Sequence, residues 1–377
     1  MSTSQPRIAI VGPLPPPSGG MANQTRQLAE LLRAEHLDVE VVQVNAPYRP
    51  AWAGKIPGVR AFFRLAPYLL NLWCAAGRVD VFHIMANSGW SWHLFAAPAV
   101  WIAKLRGKRT IINYRGGEAE TFFKSSFFWV RPTMQAADMV VVPSGFLEDV
   151  FGKWKIATTV IPNIINLARF SPAANDENHD YADAPHVIVT RNLEPIYDIP
   201  TALHAFALVV QEFPRARLTV AGSGPLRSAL EDMAQSLGIA STVTFTGRLE
   251  SADMAALYKS ADLSINPSLV DNMPNSVLEA LASGVPVVST DVGGVPYIVQ
   301  HGKTAWLVPA GNPKAMADAV TTLLRDPALV RRLVHDGLAL VQHYAWPSVR
   351  ELWLGAYRVL ATGIPSTIAA VSEKQSS

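Results

Sequence analysis

Short apolar runs alternate along this chain with longer segments in which apolar residues recur every three or four positions. Ile8–Val11 is followed by a Pro- and Gly-rich loop from Gly12 to Gly20, then by a helical pattern through Leu28, Leu31 and Leu32. Val39–Val44, Val81–Ile84, Thr110–Tyr114 and Met139–Val142 are further apolar runs, separated by helical or apolar-aromatic segments. This alternation predicts parallel strands joined by helices, with both faces of the sheet covered. The pattern restarts at His186–Thr190 and closes with a strand at Thr304–Val308 and helices at Pro313–Leu324, Leu329–Val341 and Trp346–Ala361. Ala173 to Ala184 is small, polar and acidic, and reads as a linker. Two α/β domains are therefore expected, 1–172 and 185–345, with a linker over 173–184, a final helix over 346–361 and a flexible tail over 362–377.

The most informative stretch runs from Ser264 to Thr290. An apolar run ends at Asn266-Pro267, a polar loop follows, and from about Asn275 the apolar residues Val277, Leu278, Leu281 and Ala282 fall at helical spacing. The same spacing places Ser276, Glu279 and Ser283 on the opposite, polar face, so Glu279 is expected to be presented to solvent. Gly284 suits the helix stop, and Val285–Val288 reads as the next buried strand. Asp271 lies eight residues before Glu279, so two carboxylates bracket a helix start, where unpaired backbone N–H groups attract anions. A ligand with both hydroxyls and phosphates, such as a nucleotide sugar, suits that combination.

Composition narrows the picture little further. The 377 residues, 49% of them hydrophobic, are enough for two cores, and a net charge of +2 gives no global sign of a nucleic-acid partner. Cys74 is the only cysteine, which excludes an intrachain disulfide and fits a reducing, cytoplasmic compartment. The N-terminus has no apolar signal-peptide core, and the tracts around Leu65–Ala76 and Leu94–Leu105 fall short of the roughly 20 residues a bilayer span needs. Leu218–Pro225 contains Gly222-Ser-Gly224 but has Arg227 where a dinucleotide fingerprint needs its third glycine. Those glycines are expected to shape a loop, and Met254, Leu257 and Tyr258 to form core rather than site.

The Ser264–Thr290 stretch, with Gly293-Gly294-Val295-Pro296 after it, resembles the donor-binding signature of glycosyltransferase family 4. The resemblance covers about 355 residues and implies a GT-B fold, two Rossmann-like α/β domains facing across a cleft, with the C-terminal helix crossing back to the first. Asp271 stands where the family usually has Glu, and Glu279 keeps the usual type. Arg191, at a strand end, matches the family arginine that holds the diphosphate, but Tyr197-Asp198 replaces the usual Lys-Gly. Asn113-Tyr114-Arg115-Gly116-Gly117-Glu118 resembles the His-Gly-Gly-Glu turn, with Arg115 in the His position. Arg115 and Glu118 either read a sugar or pair with each other. His83 precedes Met85, which occupies the place of the family's second histidine, so His83 is read as catalytic or structural.

The resemblance implies a retaining transferase with Arg191, Asp271 and His83 as catalytic candidates. Donor binding is expected from Glu279, Asn275, Ser276, Met273, Gly247, Arg248, Gly19 and Gly20, and acceptor or cleft contacts from Arg115, Gly116, Glu118 and Asn87. No Asp-x-Asp is present, so neither a metal nor a cofactor is expected. The acceptor is expected to be a saccharide or a polyprenyl-diphosphate-linked saccharide, in cell-surface polysaccharide synthesis. A nucleotide-sugar epimerase of the same fold and a degenerate, non-catalytic binder are the alternative readings. Seven tryptophans (52, 73, 90, 92, 101, 129 and 154) are interleaved with Lys55, Arg60, Arg64, Lys104, Arg106, Lys108 and Arg109. They read either as core with solvated cations or as a surface for peripheral binding to the inner membrane face.

Overall fold

The computed structural model describes residues 5–17, 19–48, 52, 56, 59–173 and 184–362. Most of the expected linker, the tail from 363 and Lys55 lie outside these residues. The chain divides into two units, Met1–Ile164 with Trp346–Ser377, and Ile165–Ala345. The first division falls earlier than position 172 because Ile165 and Phe170 already belong to the apolar core of the second unit.

In the first unit β1 (Ile8–Gly12), α1 (Gly20–Ala34), β2 (Val39–Gln43), α2 (Val59–Ala75), β3 (Val81–Ala86), α3 (Ala97–Leu105), β4 (Arg109–Tyr114), α4 (Ala119–Ala136), β5 (Met139–Val142), α5 (Gly145–Lys153) and β6 (Thr159–Val160) alternate. The six strands form one parallel sheet in the order β2-β1-β3-β4-β5-β6. Successive strand residues point to opposite faces. Ala9, Val11, Phe82, Ile84, Ile112 and Tyr114 therefore pack on one side with α2 to α5, while Ile8, Ile10, Val81, Met85 and Ile111 pack on the other with α1. With both faces covered, the central strand β1 reads as a continuous apolar run, whereas the edge strand β2 carries Glu40 and Gln43.

The second unit repeats the scheme: β7 (His186–Val189), α6 (Ile199–Glu212), β8 (Arg217–Ala221), α7 (Arg227–Ser236), β9 (Val243–Gly247), α8 (Ser251–Lys259), β10 (Leu263–Asn266), α9 (Asn275–Ala282), β11 (Val287–Thr290), β12 (Trp306–Val308), α10 (Pro313–Arg325) and α11 (Pro327–Val341). Its parallel sheet has the order β12-β11-β10-β7-β8-β9. The last helix, α12 (Trp346–Thr362), returns to the first unit, where Val349, Trp353, Ala356 and Tyr357 pack on the α1 side of the sheet. Trp353 is fully buried, and truncating a side chain of that size in a core costs about 3–5 kcal/mol. The returning helix is thus an integral layer of the first unit.

Candidate active site

Ligands of open parallel sheets bind outside the carboxyl ends of the strands. In the second unit, β7 delivers Arg191 and β10 delivers the loop that carries Asp271 into α9. The Arg191 guanidinium is held on three sides. Nη2 donates to Asp271 Oδ2, Nη1 donates to Ser276 Oγ at 3.2 Å, and the ring of Tyr197 lies 4.1 Å from the guanidinium carbon. Arg191 Nε is buried and has no partner. Asp271 is buried, and loss of hydration pushes its carboxyl upward from the usual range, opposed by the charge of Arg191.

Two glycine turns brace these loops from behind. A Cβ on Gly222 would lie 1.9 Å from the Arg191 carbonyl oxygen, and one on Gly294 would lie 1.7 Å from that of Asn272. Only glycine allows such an approach. Gly294 N–H also donates to the Asp271 carbonyl at 2.8 Å. Gly222 and Gly224 do shape a loop, and the loop they shape supports Arg191. Arg248 joins the same turn by donating to Ser223 Oγ at 3.1 Å, next to Gly247, which ends β9 at φ +74°.

Helix α9 corrects one expectation. Ser276 and Ser283 are buried, and Glu279 is partly buried, because Val277, Leu278, Ala280, Leu281 and Ala282 are also enclosed and the helix has no free polar face. Burial pushes the Glu279 carboxyl up to about 7, opposed by Tyr258 and Arg191. The Tyr258 hydroxyl lies 3.3 Å from Glu279 Oε2, 3.1 Å from the Ser276 carbonyl and 2.7 Å from Thr190 Oγ1. Tyr258 is therefore both core, by its ring, and site, by its hydroxyl. A buried tyrosine has to satisfy its O–H, and that requirement was the available signal. Met273 is buried and Asn275 half-buried at the start of α9. The second unit thus brings together Arg191, Asp271, Ser276 and Glu279, with Tyr197 and Tyr258 as additions.

The first unit corrects His83. It is fully buried in β3, with Asn113 Nδ2 2.8 Å from Nε2 and the Tyr357 hydroxyl 2.7 Å from Nδ1. Burial, with the nearby charge of Arg115, pushes its pKa down to about 3, so the ring is neutral. Both nitrogens are occupied and neither reaches an open surface, so His83 is a packing and orienting residue and not a catalytic one. The Arg115-Gly116 turn sits against Asn87-Ser88: a Cβ on Gly116 would lie 2.7 Å from Asn87 Oδ1 and 2.4 Å from Ser88 Oγ. Glu118 is exposed at the start of α4 and makes no ion pair with Arg115 among the described residues. Gly19 precedes α1 in extended backbone, with no side-chain cap and open space where a Cβ would be, and Gly20 is the exposed first residue of that helix.

Residues 18–169 match the domain described as Glycosyltransferase Family 4, and residues 184–326 match that described as Glycosyl transferases group 1. The chain belongs to the family 4 glycosyltransferases of the GT-B fold. The transferase is 27% identical over 369 residues to the phosphatidyl-myo-inositol mannosyltransferase of Mycobacterium leprae, a match spanning 91% of this chain and 94% of the relative. It is 32% identical over 182 residues to the alpha-monoglucosyldiacylglycerol synthase of Streptococcus pneumoniae, covering 45% of this chain and 41% of that one. Among solved structures it resembles sucrose-phosphate synthase from Thermosynechococcus elongatus, with a TM-score of 0.75, 23% identity and coverage of 95% and 100% of the two chains. The Anabaena HepE structure in complex with UDP has a TM-score of 0.71 and 17% identity, over 93% of this chain and 99% of that one. Both structural likenesses concern the fold.

The aromatic-basic surface of this glycosyltransferase is also redrawn. Trp92 is fully buried and Trp154 packs its ring 4.5 Å from Phe127, so these two are core. Trp52, Trp73, Trp90, Trp101 and Trp129 are exposed, as are Phe62, Leu70, Leu105 and Phe128. Helix α3 packs between α2 and α4, so most of these residues lie on three neighbouring helices. Lys104 and Arg109 are tied to Asp138 at 2.6 and 3.0 Å, whereas Arg106 lies over Trp73 at 4.6 Å. No helix among the described residues is long and apolar enough to cross a membrane.

Proposed function

We propose that this glycosyltransferase is a retaining, metal-independent enzyme that moves a hexosyl group from a nucleotide-sugar donor to a saccharide or lipid-linked saccharide at the cytoplasmic face of a membrane, in cell-surface polysaccharide synthesis. The observation that carries the donor reading is Arg191, a guanidinium fixed on three sides with one buried N–H unpartnered, linked through Ser276 and the Tyr258 hydroxyl to the Glu279 carboxylate. Fixed donors aimed at a leaving group stabilise the charge that develops on it, at no reorganisation cost. Glu279 accepts the ribose hydroxyls, and Arg191 meets the diphosphate. In the reaction the bond from the anomeric carbon to phosphate oxygen breaks, the bond to the acceptor oxygen forms on the same face, and the leaving phosphate takes the acceptor's proton. No protein nucleophile is needed.

Two relatives support a lipid-borne acceptor by their names, a phosphatidyl-myo-inositol mannosyltransferase and a diacylglycerol glucolipid synthase, and the exposed aromatics on α2 to α4 support membrane contact. UDP is the first nucleotide to try, since the similarly folded HepE was crystallised with it. The test is a thermal-shift panel of UDP-, GDP- and dTDP-sugars, followed by transfer assays with EDTA. One donor should raise the melting midpoint and be consumed only with an acceptor, with or without EDTA. Conversion of the donor alone to another sugar would indicate an epimerase, and binding with neither transfer nor slow hydrolysis would indicate a non-catalytic binder.

A further inference from the structure

Arg115 is a half-buried cation at a strand end of the first unit that the donor reading leaves without a task. Its Nε donates to Asn113 Oδ1 at 2.9 Å, while Nη1 is buried without a partner. No carboxylate pairs with it among the described residues: Glu118 is exposed and unpaired with it, and Glu120 is bound to Lys124 at 3.1 Å. Burial lowers its pKa only to about 10, so at neutral pH the guanidinium is charged. A half-buried charge with a buried, unpartnered N–H and no counterion is costly.

The surroundings hold that charge in place without neutralising it. Asn113 donates its amide N–H to His83 Nε2, which makes Nδ1 the protonated nitrogen and directs it to the Tyr357 hydroxyl at 2.7 Å. The Asn113 amide can then only turn its oxygen toward Arg115. Tyr357 comes from α12, so the returning helix, His83, Asn113 and Arg115 form one hydrogen-bonded row from β3 across β4. The row ends at the carboxyl edge of the sheet, beside the Gly116-Gly117 turn that opens α4. Along α4 the exposed Phe128 lies nine residues after Ala119, on the order of 14 Å further on.

We propose that Arg115 is a binding site for a phosphate group, and that this phosphate belongs to a lipid-borne acceptor. Phosphate binding stands on the first unit alone; that the phosphate is the acceptor's rests on the transferase reading above. A guanidinium with a free N–H suits a phosphate oxygen, and the neutral row behind it leaves the full charge to the ligand.

The probe is inorganic phosphate, against chloride and acetate at matched ionic strength, followed by thermal unfolding of the full chain. Phosphate at about five times its Kd should raise the midpoint of the first unit by about 2–4 °C, the shift expected for a domain of this size. The rise should persist in Arg191→Met, which removes the donor-site cation, and vanish in Arg115→Met and Arg115→Gln. Those two variants should melt no lower than the wild type in chloride, because they remove a half-buried charge that has no counterion among the described residues. A rise retained in both, an equal rise with acetate, or loss of folding in both would overturn the phosphate site. Saturating UDP should leave the response intact, and octyl phosphate below its micellar concentration should act at lower concentration than inorganic phosphate. Displacement by UDP, or no gain from the alkyl chain, would overturn the lipid-acceptor assignment while leaving the donor reading untouched.

Discussion

The guanidinium of Arg191 lies over the ring of Tyr197, 4.1 Å from its centroid, at the position where family resemblance leads one to expect a lysine. In that position the chain places an aromatic ring against the guanidinium instead of a second cation. Asp198 next to it occupies the left-handed region at φ +42°, where glycine is usual, and accepts from Thr201 Oγ1 at 2.6 Å. A cation–π contact is worth about 0.5–2 kcal/mol, so Tyr197→Ala should lower kcat by about 2- to 30-fold, while Tyr197→Phe, which keeps the ring, should stay near the wild type. Equal activity in all three would remove Tyr197 from the positioning of Arg191.

Arg191 and Asp271 form a buried pair, so each is the other's compensation. Removing one partner of such a pair costs about 3–5 kcal/mol, and removing both costs much less than twice that. Arg191→Met should therefore destabilise the second unit strongly and abolish transfer, and the double variant Arg191→Met with Asp271→Asn should regain stability but not activity. Denaturant unfolding of the four proteins measures the coupling. Strict additivity would mean that the two side chains do not interact in solution.

Much of this was legible in the sequence. Runs such as Ile8–Val11 and Val287–Val288 announce strands buried on both faces, and Gly284, at φ +73°, ends α9 where a helix stop was expected. The polarity of side chains was the weaker guide. Ser276, Glu279 and Ser283 form a polar stripe by spacing, yet Ser276 and Ser283 are buried and Glu279 partly so, because periodicity reports which residues differ and not what packs against each. Tyr258 is core as expected and His83 takes the structural one of its two readings, but the polar contacts of neither were legible, for one reason. Each is buried with its polar atoms satisfied by residues far away in sequence, 21 positions for Tyr258 with Glu279 and 274 for His83 with Tyr357, and such pairings leave no local trace.

Glu279 makes the site pH-sensitive. Its folded pKa, about 7, lies above the ordinary 4.5 because burial disfavours the charged form. Below about pH 4.5 the carboxyl is protonated in both folded and unfolded chains, and burial adds no ionisation penalty. As the pH rises from 4.5 to 7 the unfolded state loses the proton first, so the folded state is destabilised by an amount on the order of 3 kcal/mol, and this levels off above 7. Glu279→Gln should accordingly match the wild type near pH 4.5 and exceed it in stability at pH 8. Nucleotide affinity should move the other way, since ribose hydroxyls donate to the ionised carboxylate: wild-type affinity rises with pH through about 7, and that of Glu279→Gln is weaker and flat. A parallel pH profile in both proteins would remove Glu279 from nucleotide binding.

The membrane reading now rests on particular side chains. Phe62, Leu70 and Trp73 on α2, Trp101 and Leu105 on α3, and Phe128 and Trp129 on α4 are exposed on three neighbouring helices, an arrangement that costs solubility unless something apolar covers it. Trp101 is anchored by its N–H to Thr133 Oγ1 at 3.0 Å, which ties α3 to α4 and leaves the indole on the surface. The cations to change are Arg106, which lies over Trp73, and the exposed Arg131, since Lys104 and Arg109 are committed to Asp138 and their loss would disturb the fold. The protein should sediment with vesicles rich in anionic lipid and less as salt rises, because exposed charges are screened within about 8–10 Å at physiological strength. Arg106→Gln with Arg131→Gln should remove the salt-dependent part. Phe128→Ser with Trp129→Ser should reduce binding at every salt concentration, because burial of apolar surface at the headgroup level does not depend on charge. No sedimentation at low salt would refute membrane contact and make a soluble saccharide the better acceptor.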